Sequence, residues 1–102
     1  MTEPLVVIFA RAPRYGAVKT RLARDIGNGE TLRFYRNTLS NLVRVLMRDG
    51  RFETVIAATP DTAASELGCW PPGVRIARQG SGDLGRRMIR ALRSAGQRPA
   101  VV

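Results

Sequence analysis

Leu5-Val6-Val7-Ile8-Phe9, running straight into Ala10-Arg11-Ala12-Pro13-Arg14-Tyr15-Gly16-Ala17-Val18-Lys19-Thr20-Arg21, is the stretch on which the reading of the fold turns. Its first five residues are apolar, rich in β-branched side chains and uninterrupted by any polar residue. A strand with one wet face would alternate, so this run predicts a strand buried on both faces, as in a parallel sheet. Pro13 and Gly16 then predict a loop from Ala10 to Val18, followed by a short helix near Thr20 to Asp25 that Gly27-Asn28-Gly29 breaks.

The pattern repeats along the chain. Leu32, Tyr35, Leu39, Leu42, Val43 and Leu46 recur at helical spacing, with Arg33, Arg36, Asn37, Ser40 and Arg44 elsewhere on the wheel. Glu30 near the start, Arg44 and Arg48 near the end and the stop at Asp49-Gly50 suit the helix dipole. Thr54 to Ala58 reads as a second strand, closed by Thr59-Pro60-Asp61, where Asp61 could cap a short helix over Thr62 to Leu67. After a turn at Trp70-Pro71-Pro72-Gly73, Val74 to Arg78 is a third strand and Gln79 to Asp83 a glycine-rich loop. Leu84 to Ala95 follows as a helix with Leu84, Met88, Ala91, Leu92 and Ala95 inward, and Ala100-Val101-Val102 is a fourth apolar run. Strands alternating with helices predict an α/β fold, an open, mostly parallel sheet with helices on both faces.

Its 102 residues make one domain. The 17 basic residues, all arginine except Lys19, against 8 acidic ones give a net charge of +9. Such a balance raises nucleic-acid binding, yet the arginines are scattered and the few aromatic residues are not interleaved with them, which argues against a stacking platform. Without histidine, and with Cys69 alone, the chain has neither a Cys/His zinc set nor a Cys–His nucleophile nor an internal disulfide. Cys69 is expected to be a packed thiol and Trp70 a hydrophobic plug. Met1-Thr2-Glu3-Pro4 has no basic leader, and the run from Leu5 to Ala10 is far short of the ~20 residues of a membrane span, so the expectation is a cytoplasmic protein that uses no membrane.

In open α/β sheets ligands bind beyond the carboxyl ends of the strands, which directs attention to the loops after Phe9, Ala58 and Arg78. The first concentrates Arg11, Arg14, Lys19 and Arg21 between a strand and a helix start, a place suited to phosphate. It is not a Walker loop, because Pro13 and Val18 stand where glycines are required. Gly80-Ser81-Gly82-Asp83-Leu84-Gly85 matches the dinucleotide pattern in letters, but it follows the third strand, and the chain has ended where the ribose carboxylate belongs. A plain turn and a ligand loop of another kind both remain open. Asp83 fits either an N-cap or an acceptor of sugar hydroxyls.

These residues resemble a known family. Leu5 to Pro13, Gly16-Ala17-Val18-Lys19-Thr20-Arg21-Leu22 and Gln79 through Met88 are similar, in order, to the bacterial glycosyltransferases of arsenosugar biosynthesis. Those proteins have a GT-A nucleotide-diphospho-sugar transferase fold, related to the molybdenum-cofactor guanylyltransferases. The resemblance implies that Arg11, Lys19, Thr20 and Arg21 lie near the nucleotide phosphates, and that Gly82, Asp83, Leu84 and Gly85 lie near the ribose or base. It implies a nucleotide-sugar donor as partner and a divalent cation, Mg²⁺ or Mn²⁺, in the complete enzyme. The Asp that helps hold that cation would follow the fourth strand and is absent here.

The chain is therefore expected to be the nucleotide-binding portion of a GT-A-like domain, truncated, and without turnover by itself. No catalytic residue is assigned. Nucleotidyl transfer by a related fold and nucleic-acid binding by a basic module stand as alternatives. The bare fourth strand predicts self-association into a homo-oligomer.

Overall fold

The computed structural model describes residues 3–14, 24–66 and 68–102. Four strands, β1 (Leu5–Arg11), β2 (Glu53–Thr59), β3 (Arg75–Arg78) and β4 (Ala100–Val101), form one parallel sheet in the order β3-β2-β1-β4. The register runs from Leu5 opposite Glu53 to Arg11 opposite Thr59, and from Val55 opposite Arg75 to Ala58 opposite Arg78. Two helices, α1 (Asn28–Arg48) and α2 (Leu84–Ser94), and a 3-10 turn at Asp61–Ser65 complete the described elements. The expected α/β architecture is present, and the chain returns from β3 to lie beside β1 as doubly wound sheets do.

The unbroken apolar runs of β1 and β2 have the predicted cause. On one face Leu5, Val7, Val55 and Ala57 pack with Phe9, Ala77, Ala91 and Ala95, and on the other Ala10 and Ile56 pack with Leu39, Val43, Tyr35 and Trp70. Helix α1 thus covers one face and α2 the other. Trp70 is the expected plug, its indole N–H donating to the Ala63 carbonyl at 2.8 Å. Among the described residues no helix is long and apolar enough to cross a membrane.

Several local expectations are corrected. The break before α1 is Gly27 alone, at φ 87°, where only glycine is unstrained; Asn28 and Gly29 already belong to the helix. The short helix expected near Thr20 to Asp25 falls largely outside the described residues, with 24–26 helical. Leu42, Leu84 and Leu92 were expected inward but are 44%, 51% and 42% exposed. Periodicity places them within the apolar arc of their helices, but the sheet is reached by the centre of that arc, through Tyr35, Leu39 and Val43 on α1 and Ala91 on α2 with Ala95 at its C-cap. The segment after Pro60 is a 3-10 turn that Asp61 begins without capping it.

Candidate functional site

Parallel strands bring all their carboxyl ends to one edge, so the segments after Arg11, Thr59 and Arg78 share it. Behind β1 the chain is pressed onto the sheet. Ala12 and Pro13 are buried, and the Ala12 N–H donates to the Thr59 carbonyl at 2.8 Å. Helix α1 fixes this segment from above: the Tyr35 hydroxyl donates to the Arg11 carbonyl at 2.7 Å and Arg36 to the Pro13 carbonyl at 3.3 Å. Burial pushes the Tyr35 hydroxyl above its ordinary range, outweighing the bond to Arg11 and the Arg11 charge, which both lower it. With its backbone held, Arg11 projects an exposed guanidinium that has no ion-pair partner among the described residues.

Of the four cations at the end of β1 and in the loop after it, Arg11 and Arg14 lie among the described residues. Arg14 pairs with the Glu66 carboxylate, which also accepts the Cys69 thiol at 3.3 Å. Burial first, and Glu66 second, push the Cys69 thiol up. Lys19, Thr20 and Arg21 lie outside the described residues.

The loop behind β3 is built around Gln79, only 5% exposed. Its N–H donates to the Ala58 carbonyl at 3.1 Å and its side-chain amide to the Ala57 carbonyl at 2.9 Å, which extends the β2–β3 ladder by one residue. The Gly80 N–H donates to Asp61 Oδ1 at 3.0 Å, and Gly80 and Gly82 sit at φ 86° and 103°, a region that favours glycine. Asp83 is the N-cap of α2, accepting the Arg86 N–H at 2.9 Å. Gly82, Asp83, Leu84 and Gly85 are all exposed at the same carboxyl edge as Arg11, with β2 between the two segments.

Sequence reasoning found both loops but missed what holds them: Tyr35, Asp61, the buried amide of Gln79, Arg87 and Arg90. Only Gln79 carried a signal, a polar residue between an apolar strand and a glycine. The others lie far away in sequence or among many similar arginines.

A family model described as "Uncharacterized protein conserved in bacteria (DUF2064)" matches residues 42–102, more than half of the chain. The chain belongs to this family. The DUF2064 match takes in β2, β3, the 79–83 loop, α2 and β4. A crystal structure from Desulfovibrio desulfuricans G20, named as a candidate nucleotide-diphospho-sugar transferase, is 29% identical to the chain at a TM-score of 0.80. The similarity covers 93% of this chain, which spans 42% of the length of that structure. No curated protein matches. This DUF2064 chain therefore has the fold of nucleotide-diphospho-sugar transferases, with Arg11 and residues 82–85 exposed at the edge where such sheets hold ligands.

Proposed function

We propose that the chain is the nucleotide-binding portion of a GT-A-type glycosyltransferase, its carboxyl edge receiving the nucleoside diphosphate of a nucleotide-sugar donor. One observation carries the reading: Arg11, its backbone fixed by Tyr35 and its guanidinium without an ion-pair partner among the described residues, shares this edge with residues 80–85, which run from the loop into the first turn of α2. Arginine at a strand end grips a diphosphate through two N–H donors at once. Lys19, Thr20 and Arg21 join it through the sequence motif. Gly82, Asp83, Leu84 and Gly85 lie toward ribose and base, where the unused lone pairs of Asp83 accept hydroxyls. The finer kinship with arsenosugar-biosynthesis glycosyltransferases belongs to this proposal and rests on the quoted motifs.

In a longer protein of this fold, an acceptor hydroxyl would attack the anomeric carbon, the carbon–oxygen bond to the nucleotide would break and the nucleoside diphosphate would leave. The described residues do not fit the divalent cation that the resemblance implies. No three His, Cys, Asp or Glu side chains gather among them. What this chain does is bind and orient the donor.

Calorimetric titration with UDP, GDP, CDP and their sugars, with and without Mg²⁺ or Mn²⁺, tests the reading. Binding of a nucleotide that Arg11→Ala abolishes supports it. Absence of nucleotide binding, together with RNA or DNA binding that falls steeply between ~50 and ~200 mM salt, replaces it by the basic-module reading. Pyrophosphate release from a nucleoside triphosphate would replace it by nucleotidyl transfer.

A further inference from the structure

Two arginines one turn apart on α2 reach back to the loop that precedes their own helix. Arg87 Nη1 donates to the side-chain oxygen of Gln79, and Arg87 Nε lies 3.4 Å from the Asp83 carbonyl, so one guanidinium spans both ends of the loop. Arg90 Nη1 donates to the Gln79 carbonyl at 3.2 Å and lies against Gly80 in the space a Cβ would take. Their acceptors are neutral amide and carbonyl oxygens, not carboxylates, in a chain whose net charge is +9. Charge balance does not explain the contacts. What they fix is the conformation of Gln79 and Gly80.

That fixation has a consequence for binding. A loop with glycines at 80 and 82, both at positive φ, has unusual backbone freedom, and ordering it when a ligand arrives would subtract from affinity. Gln79 is anchored to β2 and Gly80 to Asp61, while Asp83 begins α2. Arg87 and Arg90 close the remaining side, so the order exists before the ligand comes. We infer that Arg87 and Arg90 are positioning residues, acting through Gln79 and Gly80 to hold residues 80–85 in the shape that receives the donor nucleotide. The inference rests on the donor reading of this edge.

The test compares the unaltered chain with Arg87→Met, Arg90→Met, Arg87→Lys and Arg93→Met. The probe is whichever of UDP, GDP and CDP the unaltered chain binds tightest. Arg87→Met and Arg90→Met are each expected to weaken binding about tenfold or more. In the absence of nucleotide they should speed hydrogen exchange at the 81 and 82 amides while exchange in β1 and β2 stays unchanged. Arg87→Lys should recover only part of the affinity, since an ammonium lacks the planar fork that spans both loop ends. Arg93→Met, equal in charge change on the same helix, should leave affinity within about twofold.

Full affinity in both methionine variants overturns the inference and leaves the donor reading standing. Failure of the unaltered chain to bind any nucleotide overturns both. Lost affinity accompanied by equal loss of exchange protection throughout the sheet makes the arginines merely structural and also overturns it. If Arg87→Met does not fold, Arg90→Met decides.

Discussion

Asp61 Oδ1 accepts the Gly80 N–H at 3.0 Å, tying the segment after β2 to the segment after β3 across the carboxyl edge of the sheet. This bond is the side-chain link between those two segments that the helix-capping expectation for Asp61 overlooked. Asp61→Ala removes the acceptor and is expected to cost about 1 kcal/mol in a urea melt. Asp61→Asn keeps an oxygen in the same place and should cost less than half as much. Equal midpoints for all three proteins would show that the bond contributes nothing to the fold.

Gly80→Ala should be the more damaging change in the same loop. The residue sits at φ +86°, and the new methyl group would meet the Arg90 guanidinium. The backbone penalty is about 1 kcal/mol, to which displacement of Arg90 adds. Gly68→Ala, at φ +79° with nothing near its Cβ position, carries the backbone penalty alone. Thermal melts should rank Gly80→Ala below Gly68→Ala.

How far the sequence reveals the fold differs from element to element. The apolar runs Leu5 to Phe9 and Val55 to Ala58 report their burial directly, because two covered faces leave little place for polar residues. The parallel sheet follows from them, and the position of β4 beside β1 follows from the usual reversal of strand order. Periodicity overreaches at Leu42, Leu84 and Leu92, since it records an apolar arc and not the width of the surface that meets it. The edge loops were legible through Pro13, Gly80 and Gly82. Their supports were not, because Tyr35 to Arg11 and Arg87 to Gln79 are contacts made by the packing of α1 and α2, and no local spacing encodes them.

Ile56 and Leu42 separate the two kinds of apolar residue. Ile56 is 0% exposed between the sheet and α1, whereas Leu42 is 44% exposed. Ile56→Ala is expected to cost about 3 kcal/mol or more, a large fraction of the ~5–15 kcal/mol available to a domain. Leu42→Ala should stay within about 0.5 kcal/mol. Chemical denaturation of both variants gives the comparison, and similar costs would mean that Leu42 is covered in solution, as the self-association expected of the sheet edge would allow.

Glu53 anchors the amino-terminal edge, where Arg98 reaches it at 2.9 Å and Arg75 at 3.3 Å. The bond from Arg98, ahead of that from Arg75, holds its carboxyl below the ordinary range despite an opposing effect of burial. A carboxyl with a depressed folded value stabilises the fold above its unfolded value of ~4.3, and that contribution disappears as pH falls through the folded value. These partly exposed pairs are worth about 1 kcal/mol or less. Glu53→Gln should therefore lower stability at neutral pH by about that amount and flatten the loss between about pH 5 and pH 3. A variant with the same acid profile as the unaltered chain would assign the acid loss to other carboxylates.

Tyr35 and Arg11 provide the sharpest check on the proposed donor site, because one fixes the backbone from which the other projects. The Tyr35 hydroxyl donates to the Arg11 carbonyl at 2.7 Å, and burial keeps that hydroxyl protonated beyond the ordinary phenolic range. The hydrogen bond should accordingly be constant from about pH 6 to about pH 9, below the usual phenolic value of ~10. Tyr35→Phe removes it with little change in packing, and is expected to lower stability by about 1 kcal/mol and nucleotide affinity severalfold, equally across that range. Arg11→Ala, which removes an exposed side chain, should abolish nucleotide binding while leaving the melting temperature nearly unchanged. In an Arg11→Ala background, Tyr35→Phe should still lower stability but have no binding left to weaken. Calorimetry and thermal melts on the three proteins decide the matter: nucleotide affinity that survives Arg11→Ala would place the phosphates away from the end of β1.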